Sequence, residues 1–198
     1  MLIGIDIDEV LSETIDFVLE YHKGKVKGKK IERNQISDYF LANIPWYEFL
    51  STEESANFFI EPLSSRLMFT ALKPVDWAFK KLKERKEAWH HFYAITARGE
   101  PLRESTEQRI NNHFPEIFDK LFFCNYYWPD FPRYTKEDIC TEHGVSLFVE
   151  DNPRYAIDLE KLGIKVFLLN KPWNANFKGQ EHPWIIKVNT REDIKLEL

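Results

Sequence analysis

Apolar positions along this chain alternate between two patterns. Leu2 to Asp8, Phe92 to Thr96, Leu121 to Cys124, Leu147 to Glu150 and Lys165 to Leu169 are short, mostly apolar runs, the pattern of strands buried on both faces of a parallel sheet. Between them the period shifts toward that of a helix. From Pro74 to Ala88, Val75, Ala78, Phe79 and Leu82 fall at helical spacing, with Lys80, Lys81, Lys83 and Glu84 on the other face and Pro74 suited to the first turn. Thr135 is a candidate N-cap for a helix to His143, with Asp138 three residues on and Gly144 just past the end. Another helix runs from Pro153 to about Leu162, with Gly163 as its stop. Strands alternating with helices predict an α/β fold with a doubly wound parallel sheet.

The interval between the first two strands is far longer than one crossover helix needs, so it holds an extra subdomain. After a helix from about Ser12 to His22 comes a Lys/Gly loop, then aromatic and helix-forming patches at Ile36 to Leu41, Trp46 to Leu50 and Glu53 to Ile60. This predicts a core made of residues 1–13 and 74–198, with residues 14–73 as a small, mainly helical cap. Placed directly after the first strand, it can close over that strand's carboxyl end.

The formal net charge of −5 argues against a binder of nucleic-acid polymer. Cys124 and Cys140 form no CxxC and no framework, so both read as reduced thiols. No apolar run is long enough to span a bilayer and no basic segment precedes the first strand, so the expectation is a soluble, cytoplasmic protein with no membrane partner. Lys23, Lys25, Lys27, Lys29 and Lys30 read as a solvated loop, and the histidines show no metal-ligand spacing.

Chemistry enters at the strand ends. Asp6 and Asp8 sit two apart at the end of the first strand, and i and i+2 share a side for as long as a strand continues. Thr96 ends the second strand, within Ala94-Ile95-Thr96-Ala97-Arg98; Glu150 and Asp151 end the fourth, within Phe148-Val149-Glu150-Asp151-Asn152-Pro153; and Lys136 opens the helix before it. Open α/β sheets bind ligands at this edge.

In these motifs, their order and their spacing, the chain resembles the haloacid dehalogenase (HAD) superfamily of phosphotransferases. Asp6-Ile7-Asp8-Glu9-Val10 fits the first motif, Thr96 the second, Lys136 the third and Glu150-Asp151 the fourth, and the long interval fits a C1-type cap. Lys120 also lies between the second and fourth motifs. More narrowly, Ile95-Thr96-Ala97-Arg98, the small helical cap and Glu150-Asp151-Asn152-Pro153 followed by Lys171-Pro172-Trp173-Asn174 resemble the 5'(3')-deoxyribonucleotidase branch.

That resemblance implies a magnesium-dependent phosphomonoester hydrolase working through an aspartyl-phosphate on a small phosphorylated substrate, a nucleoside monophosphate above all. Asp6 is then nucleophile and metal ligand, Asp8 the proton shuttle and, through its backbone carbonyl, a further metal ligand, and Asp151 a metal ligand. Thr96 and Lys136 serve the phosphoryl oxygens, and Glu150 and Asn152 orient Lys136 or metal-bound water. Ala97 lends its backbone to the phosphoryl group. Arg98 meets either the substrate or a surface carboxylate. In the cap, Trp46 and Phe49 stand among the rings that can stack on a nucleobase, or simply pack in a core. Glu9, where Gly is common, and Glu150, in place of Asp, depart from the nucleotidase pattern. A phospho-accepting signalling domain, a sugar-phosphate phosphatase and a non-catalytic phosphate binder are the alternatives.

Overall fold

The structure, a computed structural model, describes residues 1–23, 32–38, 52–68, 72–126, 128–190 and 193–194. Six parallel strands form one sheet in the order β3-β2-β1-β4-β5-β6: β1 (Leu2–Ile5), β2 (His91–Thr96), β3 (Lys120–Phe123), β4 (Leu147–Glu150), β5 (Lys165–Leu169) and β6 (Ile185–Val188). Among the described residues the α-helices are α1 (Thr14–Tyr21), α2 (Thr52–Ser64), α3 (Asp76–Glu87), α4 (Arg103–His113), α5 (Lys136–His143) and α6 (Pro153–Glu160). This is the expected doubly wound α/β architecture. Two elements carry no clear mark in the sequence: β6, a four-residue edge strand, and α4, whose buried face includes Thr106 and Arg109.

Strand alternation sorts the side chains onto two faces. Ile3, Ile5, Phe92, Ala94, Leu147, Val149, Phe167 and Leu169 pack with Ala78 and Leu82 of α3 and Ile110 of α4. Ile95, Phe148, Val166 and Leu168 face the other way, onto Ile139 and Cys140 of α5 and Ala156 and Leu159 of α6. With apolar layers on both sides, the inner strands β1, β2, β4 and β5 are mostly buried, which is why their runs read as continuous rather than alternating. A third cluster joins Ile15, Phe17 and Val18 of α1 to Phe58 and Leu63 of α2, and to Ile36, Met68, Leu72, Leu102 and Trp173. Tyr39, Phe40, Trp46, Phe49, Lys25, Lys27, Lys29 and Lys30 lie outside the described residues.

The helix ends follow the capping chemistry. The Thr135 hydroxyl accepts the Asp138 N–H while the Asp138 side chain accepts the Thr135 N–H, and Gly144 takes the left-handed turn at φ 70° that ends α5. The Asn152 side chain caps α6. Cys124 and Cys140 are buried free thiols, each pushed up to about 12 by burial, so both stay protonated.

One boundary differs from expectation where it matters. β1 ends at Ile5 rather than Asp8, because the chain turns at once: the Ile7 carbonyl accepts from the N–H groups of Leu11 and Ser12, and Glu9 N–H donates to the Ser12 carbonyl. The i, i+2 rule therefore does not hold for Asp6 and Asp8, whose carboxylates go to different partners.

Glu9 occupies the left-handed region at φ 64°, which an L side chain adopts at a cost of about 1–2 kcal/mol. Its side chain is buried, accepts the Ile15 N–H at 2.8 Å and is ion-paired with Arg33 and, at 2.9 Å, with Lys171. Those bonds fasten the turn after β1 to α1, to the 33–35 turn and to the segment after β5.

Two predictions follow the packing. Gly4 lies under Phe148, and an added Cβ would sit 2.4 Å from its ring. Gly4→Ala is expected to lose about 1–3 kcal/mol in denaturant unfolding. The double variant G4A/F148L is expected to lose less than the sum of the two single losses. Secondly, burial acts to raise the Glu9 pKa, but Lys171 and Arg33 together hold it below the ordinary 4.5. A depressed acid stabilises the fold above its unfolded pKa and loses that contribution as pH falls toward the folded one. Wild type is expected to exceed Glu9→Gln by about 1–3 kcal/mol at neutral pH, and thermal melts are expected to show the gap closing below about pH 4.5.

Candidate active site

Parallel strands deliver their carboxyl ends to one edge, and three adjacent strands, β2, β1 and β4, carry the acids and the threonine there. Asp6 follows β1 directly, its N–H still bonded to the Val149 carbonyl at 3.1 Å. That bond fixes Asp6 beside the end of β4.

Lys136 is the centre of the arrangement. It is fully buried at the first turn of α5, and its Nζ donates to Asp6 Oδ1 at 2.8 Å and to Glu150 Oε2 at 2.6 Å. The ammonium also lies over the Tyr155 ring at 4.8 Å and the Phe148 ring at 5.4 Å, which helps hold a cation away from water. Lys120, by contrast, lies at the exposed start of β3, over Tyr93 and Phe122. Glu150 Oε1 accepts the N–H groups of Asp151 and Asn152, each at 3.0 Å, so this carboxylate is bonded at both oxygens.

Asp151 has one oxygen taken and one orphaned. Trp173 Nε1 donates to Oδ2 at 2.9 Å and Asn174 Nδ2 holds the Asp151 carbonyl at 2.7 Å, while Oδ1 is buried with no hydrogen-bond partner. Oxygens of Asp6, Glu150 and Asp151 all lie within 4.8 Å of one another. Three carboxylates against the one ammonium of Lys136 leave an excess of negative charge in a buried site. Without a further cation, burial pushes Asp6 up to about 8, its attraction to Lys136 offsetting this only in part and Glu150 and Asp8 adding to it. Burial likewise drives Asp151 well above its usual range, helped by Glu150, Asp6 and Glu9. An all-oxygen donor set with an orphaned buried oxygen and surplus negative charge fits a hard divalent cation such as magnesium.

Asp8 belongs to a different network. Arg98 grips it bidentately, Nη2 to Oδ1 at 2.6 Å and Nε to Oδ2 at 3.1 Å, and the Thr14 hydroxyl donates to Oδ1 at 2.6 Å. Burial acts to raise the Asp8 pKa, but the guanidinium and these hydrogen bonds hold it below the ordinary carboxylate value. Arg98 itself is buried, so the carboxylate it meets is the half-buried one of Asp8 rather than one on the open surface. Thr96 is fully buried, its hydroxyl oxygen accepting the Arg98 N–H at 3.2 Å. Ala97 is buried beside it, its carbonyl accepting from Tyr126 N–H. Asn152 caps α6 and leaves its Nδ2 buried without a partner.

The structure thus brings Asp6, Lys136, Glu150 and Asp151 into one cluster, joins Asp8 to Arg98, and sets Thr96 and Ala97 next to that arginine. Trp46 and Phe49 lie outside the described residues. Sequence reasoning did not single out Trp173 or Thr14 as partners of Asp151 and Asp8. Trp173 stood within the quoted Lys171-Pro172-Trp173-Asn174 segment, but a tryptophan gives no sequence cue to which carboxylate its N–H will reach.

No family model and no curated protein matches the sequence. Solved structures do. A predicted phosphoglycolate phosphatase from Haemophilus somnus 129pt superposes with a TM-score of 0.60 at 14% identity, over 93% of this chain and 92% of that one. A haloacid dehalogenase-like hydrolase from Streptococcus pneumoniae gives 0.61 at 13% identity, over 85% and 84%. CbbY from Rhodobacter sphaeroides, in complex with xylulose-(1,5)-bisphosphate, gives 0.59 at 12% identity, over 93% and 92%. The chain has the α/β, Rossmann-like fold of the haloacid dehalogenase hydrolases.

Proposed function

We propose that this protein is a magnesium-dependent phosphomonoester hydrolase that works through an aspartyl-phosphate on Asp6. The observation that carries the reading is the buried cluster in which Lys136 joins Asp6 to Glu150 while Asp151 keeps one oxygen unpartnered.

Magnesium, held by Asp6, Asp151 and the Asp8 backbone carbonyl, would draw charge from the phosphoryl oxygens and keep the carboxylates ionised. Lys136 occupies Asp6 Oδ1, so Oδ2 is the oxygen that attacks phosphorus. As the new P–O bond forms, the ester P–O bond breaks, and the leaving alkoxide takes a proton from Asp8. In the second half-reaction water attacks phosphorus and gives its proton to Asp8, and the electron pair of the breaking P–O bond returns to Asp6 as inorganic phosphate leaves. Held as a carboxylate by Arg98, Asp8 is at rest in the form that accepts the water proton. Before it donates to the leaving group it loosens from that arginine and takes a proton from solvent, and the proton gained from water in the second half-reaction returns to solvent as Arg98 reclaims the carboxylate. Lys136 and the hydroxyl of Thr96 balance charge on the phosphoryl oxygens. Residues 14–73 serve as the cap, fastened to the core through the Arg33–Glu9 ion pair.

The substrate is a small phosphate ester. The nucleotidase reading is supported by the sequence resemblance and by the aromatic residues Trp46 and Phe49. A sugar-phosphate or phospho-acid reading has the support of the fold neighbours named above, which include a predicted phosphoglycolate phosphatase and a protein bound to a sugar bisphosphate. As for the rival of a phospho-accepting switch, the ready-made proton shuttle on Asp8 supports turnover over a long-lived phosphoryl group.

A phosphate-release screen over nucleoside monophosphates, sugar phosphates and phosphoglycolate with magnesium is expected to find turnover that Asp6→Asn abolishes with the fold intact by circular dichroism. Full activity in that variant would sink the assignment. Lys136→Met is expected to lower kcat by about 100-fold or more. Metal removal has its own signature. Asp6 raised to about 8 destabilises the fold progressively as pH rises from the ordinary 3.8 toward that value. In EDTA the Tm is therefore expected to fall between pH 5.5 and 7.5, with magnesium restoring it most at the higher pH, and with Asp6→Asn removing the part of the fall that Asp6 contributes and leaving the part due to the raised Asp151.

A further inference from the structure

A second charge imbalance, opposite in sign to the first, lies on the other side of Asp8. Thr106 and Arg109 stand one step apart on the buried face of α4. Arg98 donates to the Thr106 hydroxyl through Nη1 at 3.0 Å, while its other two nitrogens hold Asp8. Arg109, only 4% exposed, reaches the Met68 carbonyl through Nη1 at 3.4 Å, and its Nη2 is buried with no hydrogen-bond partner. Burial and the nearby Arg98 lower the Arg109 pKa to about 10, with Asp8 pulling the other way, so the group stays charged at neutral pH. Two buried guanidinium groups therefore face one carboxylate.

A buried cation without a counter-ion is strongly unfavourable, and among the described residues no acid is bonded to Arg109. The carboxylate it shares with Arg98 is at the solvent side of the cluster: the Asp8 side chain is 24% exposed, whereas that of Arg98 is 2% exposed. Asp8 therefore covers the two guanidinium groups, and turning it aside opens them to an incoming anion. Asp8 also lies two residues from the nucleophile, so whatever binds here is within a short linker's reach of phosphorus.

We propose that Arg98 and Arg109 form a subsite for a second anionic group, a carboxylate or a phosphate, carried by the phosphorylated substrate. This rests on the phosphatase reading and names the substrate class: small phosphorylated acids or bisphosphates, ahead of nucleoside monophosphates, which carry no second anion. The planar forks of two guanidinium groups match a carboxylate or phosphate edge. The substrate anion takes the free Nη2 of Arg109 and the N–H groups of Arg98 that now hold Asp8. It thereby completes the charge balance and releases Asp8 from Arg98, so that Asp8 can take a proton from solvent and turn toward the leaving oxygen. A substrate without that anion leaves Asp8 clamped.

The test separates this from the broader reading by using binding as well as turnover. In magnesium buffer, thermal-shift titration of wild type is expected to give an apparent Kd for phosphonoacetate about tenfold or more below that for methylphosphonate. Arg109→Met is expected to bring the two close to parity and Arg109→Lys to keep part of the preference. Arg109→Met removes an uncompensated charge, so its Tm is expected to equal or exceed that of wild type. In turnover, the kcat/KM ratio of phosphoglycolate to ethyl phosphate is expected to fall by about tenfold or more in Arg109→Met. Equal affinity of wild type for the two phosphonates, or a preference unmoved in both Arg109 variants, overturns the subsite even if phosphate is released. If wild type hydrolyses no ester yet shows the phosphonoacetate preference and loses it in Arg109→Met, the phosphatase reading fails and the subsite stands.

Discussion

The fully buried ammonium of Lys136, bonded to Asp6 on one side and Glu150 on the other, is the interaction on which this molecule is organised. It ties the end of β1 to the end of β4 and to the start of α5, three elements far apart in sequence and adjacent only because the sheet is parallel. Taking such charges out of water is expensive, and attraction between them repays it only with good geometry and full hydrogen bonding. Glu150 meets that condition through the N–H groups of Asp151 and Asn152. Asp151 does not, and its orphaned oxygen is where the buried charge remains unbalanced. A fold that retains this imbalance is suited to bind a cation.

Two imbalances of opposite sign lie on either side of the turn after β1. Asp6, Glu150 and Asp151 outnumber Lys136; Arg98 and Arg109 outnumber Asp8. The turn that separates them is held by Glu9, a residue in a strained backbone conformation whose side chain is bonded to α1, Arg33 and Lys171. A glycine would relax the backbone and lose those bonds. The departure from a common glycine at Glu9 thus exchanges local strain for long-range fastening.

Much of this was legible in the sequence because the cues are local. Apolar runs buried on both faces announce parallel strands, the Thr135/Asp138/Gly144 pattern brackets α5, and acids at strand ends mark the ligand edge. What was not legible depends on distant partners or on weak local pattern. Nothing in the spacing shows that Arg98 will take Asp8, that Trp173 will take Asp151, or that Arg109 will be left without an acid. The α4 helix hid because its buried face uses a threonine and an arginine instead of an apolar stripe, and β6 because it is a short edge strand with Ile186 exposed. Asp6 and Asp8 were correctly placed at the carboxyl end of β1 but not on a common strand face, since the turn begins one residue after the strand stops.

The proposed reaction turns on a covalent bond to one oxygen of Asp6. Acid-quenching the magnesium-loaded protein during turnover of a hydrolysed ester, reducing with borohydride and mapping peptides by mass spectrometry tests it directly. Reduction of an acyl phosphate at Asp6 predicts homoserine at position 6 and nowhere else. Turnover with Asp6 left unmodified under conditions that trap a control acyl phosphate, or homoserine at Asp8 or Asp151 instead, would contradict it.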